Sequence, residues 1–277
     1  TVMEITTGTY GSHIYRYGFD SGSLEFTFLE KVEAENASYA IKDADNIYAV
    51  SETGNASGAY SFRLRDKTVM TAEKRQTGAD PCYMIIYGDK ILTADYSGGS
   101  ISIFPIISGA LGDCIQRLEF QGSGPVKARQ GSSHIHQLKP IPDTDWILAS
   151  DLGADKIRLL RFEDGTLVHK NDIECPPGSG PRHMEFGKDG KTLYCISELS
   201  GNVLVYSVNG NDAPVFTLIQ EIQADEVNAG GSADIHLHPS GKYLYTSHRL
   251  NNDGIAMFRT LPDGKIEKIG YSKTGRH

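Results

Sequence analysis

The chain has 277 residues, 39% of them hydrophobic and 22% charged, which is the composition of an ordinary globular protein. A formal net charge of −8 argues against a general nucleic-acid binder, because such a protein needs a basic face for the phosphates. There is no run of 18 apolar residues to span a membrane and no signal peptide at the start, so we expect a cytoplasmic protein, or a periplasmic one if a signal peptide has been removed.

Six stretches of the chain, taken in order, repeat one pattern. In each stretch a strand is followed by a Gly-containing turn and then by a second strand that ends in a large apolar residue. The corresponding positions lie 42 to 56 residues apart, at Tyr10, Glu52, Tyr96, Leu152, Glu198 and Arg249. A period of roughly 40–50 residues is typical of the four-stranded blades of a propeller.

Local patterns indicate short strands throughout. Apolar and polar residues alternate with a period of two, and Asp-Gly pairs at 164–165, 189–190 and 263–264 favour tight hairpin turns. We therefore predict an all-β fold, a β-propeller of four-stranded blades in a single domain over residues 1–277. Six blades are visible and residues 274–277 resemble the start of another, so we expect seven blades in the intact protein. A β-sandwich is the alternative, although sandwiches do not usually show six near-equal periods.

Antiparallel pairing within a blade brings polar residues from different repeats to one face. The start of the first strand lies on the same face as the end of the second, so Arg182 and Glu198 are predicted to be neighbours. The same reasoning adds further candidates to this face: His134, His136, Glu52, Asp151, Asp234 and Arg249. A concave face with convergent polar groups is the default position of a binding site.

Structural roles stay open for several of these residues. Polar residues at strand ends usually face water, which is the expectation for Glu52, Asp95 and Asp151. Arg182 could bridge adjacent blades with its forked donors, and His136 could be a core histidine. Packing is the alternative for His183, and His248 is expected in a loop or on the surface.

Metal or cofactor chemistry is not expected. The His134-x-His136 and His236-x-His238 pairs place two imidazoles on one face of a strand, but no third ligand can be identified. The four cysteines form no CxxC pair, and we expect Cys82 and Cys195 to be buried free thiols. The sequence contains no G-x-S-x-G elbow, no P-loop and no dinucleotide fingerprint.

One family resemblance emerges from these motifs. The segment GPRHMEFGKDGKTLYCISEL, residues 180–199, together with SSHIHQLKP, SDLGADKI and YTSHR, resembles the signature of the lactonase family of seven-bladed propellers. That family includes bacterial 6-phosphogluconolactonases of the propeller type and fungal carboxy-cis,cis-muconate lactonizing enzymes. The resemblance covers essentially the whole chain, but Ile135, Asp234 and His248 stand where the family often has Pro, Glu and Asn.

The resemblance implies an active site and an activity. The functional set that the resemblance implies falls on His136 or His134, and on Arg182, Glu198 and Arg249. We take His136, Arg182 and Glu198 as the catalytic candidates, and add Asp234 and His183 to Arg249 and His134 as the substrate-binding candidates. We expect metal-independent hydrolysis of a sugar lactone, with 6-phosphogluconolactone of the pentose phosphate pathway as the preferred substrate.

In the expected mechanism His136 is the general base, and Glu198 orients this histidine or a water molecule. One of Arg182 and Arg249 stabilises the oxyanion, and the other binds the anionic group of the substrate. Two alternatives stay open: a lactonizing or isomerising enzyme acting on a muconate-like dicarboxylate, and a non-enzymatic propeller that binds a ligand or protein. The expected partner is a small anionic sugar lactone, without nucleic acid or membrane, and the oligomeric state is not specified.

Overall fold

A computed structural model describes residues 2–65, 68–210 and 212–275, so the last two residues of the blade-like segment 274–277 lie outside it. The chain divides into two compact units, Thr1–Phe120 and Gln121–His277. The expectation of one domain over residues 1–277 stays a prediction.

The described part of the first unit contains three antiparallel sheets. Their strands are β1 (Val2–Thr7), β2 (His13–Asp20) and β3 (Glu25–Glu33) in the first sheet, β4 (Ala40–Asp43), β5 (Asn46–Ser51), β6 (Gly58–Arg65) and β7 (Thr68–Gln76) in the second, and β8 (Pro81–Tyr87), β9 (Lys90–Asp95), β10 (Ser100–Ile107), β11 (Ala110–Leu111) and β12 (Gln116–Glu119) in the third. In the third sheet β11 and β12 both pair with β10 and share the outer position.

In its described residues, the second unit contains three antiparallel sheets of four strands each. Its strands are β13 (Ile135–Pro140), β14 (Trp146–Asp151), β15 (Lys156–Glu163) and β16 (Thr166–Glu174), then β17 (Pro181–Phe186), β18 (Thr192–Ser197), β19 (Asn202–Asn209) and β20 (Val215–Gln223), then β21 (Ser232–Leu237), β22 (Tyr243–His248), β23 (Gly254–Thr260) and β24 (Ile266–Lys273). Within each sheet the strands pair in chain order, so each sheet is an antiparallel meander. The predicted all-β fold built from four-stranded blades is confirmed.

Helical structure is limited to two short 3₁₀ turns in the described residues, at Gly54–Ala56 and Leu250–Asn252. Neither turn has the length or the apolar character that a membrane-crossing helix needs, and the described ranges hold no other candidate.

The core of the second unit lies between consecutive sheets. In β18, Leu193 and Cys195 pack towards the β13–β16 sheet, whereas Tyr194 and Ile196 pack towards the β21–β24 sheet. All four residues are at most 2% exposed. A strand between two sheets must be apolar on both faces, which explains why β18 reads as a continuous apolar run.

Two strand-end carboxylates are buried, so the expectation that Asp95 and Asp151 face water is wrong. The Asp151 carboxylate accepts hydrogen bonds from the backbone N–H of His134 at 2.8 Å and from Nη2 of Arg158 at 2.7 Å. Asp95 accepts a hydrogen bond from Ser102 Oγ at 2.6 Å, and burial raises the pKa of Asp95 to about 6. Both side chains are turned towards neighbouring strands and loops and do not extend into solvent.

Two further expectations need correction. His248 is only 3% exposed, because its ring lies between the hydroxyl groups of Ser232 and Thr246 at 2.8 Å each. Cys82 is half-buried, whereas the prediction of a buried thiol is confirmed for Cys195.

Candidate active site

Three β-bulges in the second unit place the candidate side chains. The register of the first strand shifts between Ile135 and Gln137 in β13, between Pro181 and His183 in β17, and between Ser232 and Ile235 in β21. The residues within these shifts include three candidates, namely His136, Arg182 and Asp234. A bulged residue leaves the regular ladder, which turns its side chain away from the alternating direction of the strand.

Serine hydroxyl groups on the second strands β14 and β22 make hydrogen bonds to backbone groups at these bulges. Ser150 Oγ accepts a hydrogen bond from the backbone N–H of Gln137 at 3.0 Å and donates to the backbone oxygen of Arg182 at 2.5 Å. Ser247 Oγ accepts a hydrogen bond from the backbone N–H of Asp234 at 3.0 Å. Because the displaced backbone groups have partners, the bulges can be fixed features of the strands.

The Glu198 carboxylate follows β18 and is surrounded by three guanidinium groups. Its Oε2 atom lies 2.7 Å from Nε of Arg182 and 3.6 Å from Nη2 of Arg249, and its Oε1 atom lies 2.7 Å from Nη2 of Arg129. The side chain of Glu198 is only 6% exposed. A buried carboxylate is costly unless cations and hydrogen bonds compensate it, and here the arginines do so.

Arg182 is the most buried of the three arginines, at 14% exposure. Besides its bond to Glu198, it donates from Nη1 to the backbone oxygen of Ala233 at 2.6 Å. Ala233 belongs to the next sheet, so Arg182 also bridges two neighbouring blades. The structural role that the sequence left open for Arg182 is therefore present together with its place in the site.

Arg129 was missed by the sequence analysis. It lies in the segment that precedes β13, in the run GPVKARQG, which has no strand periodicity. Two cations in a glycine-flanked loop are a weak signal. The path of the loop, which brings Arg129 to a carboxylate 69 residues away, cannot be read from a local pattern.

The histidines of β13 and β17 lie together and are neutral. The rings of His136 and His183 are 5.0 Å apart between centroids, in an edge-to-face arrangement. Burial lowers the pKa of His136 well below its usual value, and the nearby Arg182 and His183 contribute. Burial also lowers the pKa of His183 to about 4, with a contribution from Arg182. A neutral imidazole retains one nitrogen that can accept a proton.

Asp234 connects His183 to a more exposed histidine. Its Oδ1 atom lies 2.7 Å from Nδ1 of His183, and its Oδ2 atom lies 2.9 Å from Nε2 of His236. Burial opposes ionisation of Asp234, but the hydrogen bonds from the two histidines outweigh it and lower the pKa of this carboxyl group. The carboxylate can only accept, so it fixes the Nδ1–H tautomer of His183.

The described contacts of His134 run to Asp151 and Gly153 and not to the other candidates. Its backbone N–H donates to Asp151, and its ring lies against Gly153, where an added Cβ would come within 2.9 Å of His134 Cδ2. The same Cβ would lie 1.8 Å from the backbone oxygen of Ser132, so only glycine fits this approach. The contacts described for His134 thus belong to the loops around β13.

The structure brings most of the predicted site residues together. Arg182, Glu198 and Arg249 are in direct contact, and His136, His183 and Asp234 form an adjoining group. Within the described ranges, no group of three or more His, Cys, Asp or Glu side chains could hold a metal ion. The arrangement offers guanidinium groups to bind anions next to neutral imidazoles that can accept a proton.

Comparisons with known proteins agree with this architecture. The profile of the family described as "Lactonase, 7-bladed beta-propeller" matches residues 3–277. The predicted propeller fold is thereby confirmed.

Individual relatives cover nearly the whole chain. A protein of Formosa agariphila named 6-phosphogluconolactonase is 30% identical over 296 residues, which cover 100% of this chain and 83% of the relative. A crystal structure from Bacteroides fragilis, provisionally named a 6-phosphogluconolactonase, has a TM-score of 0.94 and 38% identity, with 100% and 83% coverage. The periplasmic gluconolactonase of Pseudomonas aeruginosa has a TM-score of 0.90 and 27% identity, with 100% and 85% coverage.

Proposed function

The chain belongs to the lactonase family of seven-bladed β-propellers, and on this basis we propose that it hydrolyses a sugar lactone, with 6-phosphogluconolactone as its substrate. The names of its relatives support lactone hydrolysis in general. The choice of the phosphorylated sugar rests on the charges in the site.

One observation carries the proposal: three arginines converge on the single buried carboxylate of Glu198, next to the neutral imidazole of His136. Lactone hydrolysis needs a group that takes a proton from water and positive charge that stabilises the oxyanion. Both requirements are met here by side chains of the protein. The excess of arginines over carboxylates suits an anionic substrate.

We assign the general base to His136. A water molecule attacks the lactone carbonyl carbon and transfers one proton to the unprotonated nitrogen of the imidazole. The new carbon–oxygen bond turns the carbonyl oxygen into an oxyanion. Burial lowers the pKa of His136 well below its usual value, so the ring is neutral near pH 7 and has one unprotonated nitrogen.

We assign stabilisation of the oxyanion to Arg182, because its guanidinium is held by Glu198 and by the Ala233 backbone oxygen. When the intermediate collapses, the bond between the carbonyl carbon and the ring oxygen breaks. The ring oxygen takes the proton back from His136, and the carboxylic acid product then ionises. Preorganised donors of this kind usually contribute more than any other group to such a step.

From the described contacts of Glu198 we infer a different role from the expected one, which was to orient His136 or a water molecule. All the hydrogen bonds and ion pairs of its carboxylate within the described residues run to arginines. Holding the guanidinium groups in place therefore fits the geometry better than orienting His136. Glu198 remains essential in this reading, as the anchor of the positive cluster.

The test is acid release from freshly prepared 6-phosphogluconolactone, compared with a buffer blank because such lactones also open spontaneously. We expect a rate well above the blank that is unchanged by a chelator. Muconate-like dicarboxylates are assayed in parallel. Turnover of a dicarboxylate without lactone hydrolysis would favour the lactonizing alternative, and no turnover of either would favour a binding protein.

A further inference from the structure

The loop that carries Arg129 is held firmly in place. We call residues 121–134 the Arg129 loop. A tight turn inside it is closed by the backbone N–H groups of Arg129 and Gln130, which both donate to the backbone oxygen of Val126 at 2.8 Å. The backbone N–H of Gly124 donates to the backbone oxygen of Gln130 at 3.0 Å, which closes the loop further.

Gln130 anchors this turn to the rest of the unit. Its side chain is fully buried, and Nε2 donates to the backbone oxygen of Leu152 at 2.9 Å and to Oδ1 of Asp155 at 2.7 Å. Its Oε1 atom accepts a hydrogen bond from the backbone N–H of Val126 at 3.0 Å. A buried amide with both its oxygen and its nitrogen satisfied is a rigid attachment for the neighbouring residue, Arg129.

The same carboxylate ties the Arg129 loop to the loop before β17. Asp155 accepts hydrogen bonds from the backbone N–H groups of Gly178 at 2.6 Å and Gly180 at 2.8 Å. Gly180 stands two positions before Arg182 in the chain. Asp155 therefore fixes the Arg129 loop and the start of the Arg182 strand relative to each other.

The three arginines differ in their exposure. Arg182 is 14% exposed, whereas Arg129 is 40% and Arg249 is 36% exposed. Arg182 is held by its hydrogen bonds to Glu198 and to the Ala233 backbone oxygen of the next blade. Arg129 and Arg249 are more exposed, so a ligand can reach their guanidinium groups.

The charges at this point match a phosphate group. Three guanidinium groups and the Glu198 carboxylate give this cluster a net charge of +2. The adjoining imidazoles of His136 and His183 are neutral, and the Asp234 carboxylate adds one negative charge beside His183. A phosphate monoester carries a charge of about −1.5 to −2 near pH 7. Its oxygens suit the forked donors of arginine.

We propose that Arg129 is a specificity-determining residue, which binds the phosphate of the substrate and selects phosphorylated over unphosphorylated sugar lactones. This inference rests on the proposed function and deepens it. Arg249, which lies 3.6 Å from the other carboxylate oxygen of Glu198, assists. Arg182 is left for the carbonyl oxygen.

The test compares two substrates. For the wild type and for Arg129→Gln, kcat/KM is measured with 6-phosphogluconolactone and with unphosphorylated gluconolactone. We expect the preference for the phosphorylated lactone to fall about 10- to 100-fold in Arg129→Gln, as for the loss of a charge-assisted hydrogen bond. A residue that only supports Glu198 would lower both rates equally, and an unchanged preference would overturn the proposal.

Lys127→Gln is the matched control. Lys127 is exposed on the same loop, so the substitution removes one positive charge at a similar place in the chain. We expect its preference to stay within about twofold of the wild type, since an exposed charge is largely screened. An equal fall in both variants would mean that overall charge, and not Arg129, selects the substrate.

A binding measurement separates this inference from the proposed function. Calorimetric titration with 6-phosphogluconate and with gluconate measures the phosphate preference without turnover. If the wild type hydrolyses neither lactone, the proposed function fails, and the titration still decides whether Arg129 binds phosphate. If the wild type is active and Arg129→Gln keeps its preference in both experiments, only the assignment of Arg129 fails.

Discussion

The Nε atom of Arg182 lies 2.7 Å from Oε2 of Glu198, although 16 residues separate the two in the chain. Arg182 leaves the ladder of β17 at a bulge, and Glu198 directly follows the paired strand β18. The β17–β18 hairpin alone therefore places Arg182 next to Glu198, which is half of the cluster around this carboxylate. The other half is supplied by Arg129 and Arg249, which approach the same carboxylate from other segments.

Replacement of the central carboxylate should disable the site and weaken the fold. In Glu198→Gln three guanidinium groups would surround a neutral amide, so we expect kcat/KM to fall by about 100-fold or more. The free energy of unfolding should fall by about 3 kcal/mol, because removing one partner of a buried ion pair leaves its charge uncompensated. Lactone assays and urea denaturation measure the two effects.

The control for this experiment is Glu163→Gln. Glu163 forms an ion pair with Lys170 and is 47% exposed. Such a pair contributes about 1 kcal/mol or less, so stability and activity should hardly change. If Glu198→Gln kept wild-type activity, Glu198 would have no role in the reaction.

Arg182 should not tolerate replacement by lysine. Its guanidinium donates to Glu198 and to the Ala233 backbone oxygen at the same time, which a single ammonium group cannot do with the same geometry. We expect Arg182→Lys to stay folded but to lose about 100- to 1,000-fold in kcat, as for the loss of an oxyanion donor. Near-wild-type kcat with a raised KM would instead assign Arg182 to substrate binding.

The pH dependence of the reaction tests the assignment of His136. The imidazole accepts a proton only when neutral, and its pKa is lowered, so kcat/KM should stay level from pH 8 to below pH 6.5 and fall only in stronger acid. Unphosphorylated gluconolactone is the better substrate here, because a phosphate group itself titrates at about pH 6. A fall centred at or above pH 6.5 would contradict this assignment.

Substitution of the histidines completes that test. We expect His136→Gln to lose about 100-fold or more in kcat, while His134→Gln, whose ring lies against Gly153, should lose far less. Asp234→Asn removes the carboxylate that fixes the Nδ1–H tautomer of His183. This variant therefore tests the ring next to His136. If Asp234→Asn and His183→Gln reduce kcat more than His136→Gln does, the base is His183.

The strand framework of this site was predictable because its signals are local. The alternation in PRHMEF predicts β17 and the short apolar run in LYCIS predicts β18, and the Asp-Gly turn between them indicates antiparallel pairing. Once the pairing is known, the proximity of Arg182 to Glu198 follows from strand direction alone.

The remaining parts depend on loop paths and register shifts, which leave little trace in the sequence. Arg129 contacts Glu198 from a loop that is anchored by the buried Gln130. The same applies to Asp151, which looks like a strand end open to solvent but folds onto the backbone N–H of His134. Whether such a strand-end side chain faces water or contacts a neighbouring loop depends on tertiary structure.

His248 makes the free energy of unfolding depend on pH in the acid range. Its neutral ring pairs with Ser232 and Thr246, and burial lowers its pKa to about 4, whereas an unfolded chain has a histidine pKa of about 6.5. The unfolded state therefore binds more protons between these values, and the contribution of His248 is complete above pH 6.5 and is lost as the pH falls towards 4.

Urea denaturation at pH 7 and pH 4.5 measures this contribution. We expect the free energy of unfolding of His248→Gln to fall by about 2 kcal/mol less over this range than that of the wild type, because the substituted side chain does not titrate. His238→Gln, at an exposed position, should keep the wild-type difference. The effect matters for the site because His248 directly precedes Arg249, whose backbone N–H and Nε both donate to the Gly231 oxygen, at 3.1 and 3.2 Å. If His248→Gln loses as much stability in acid as the wild type, the ring is not held in its neutral form, and the acid sensitivity comes from other groups.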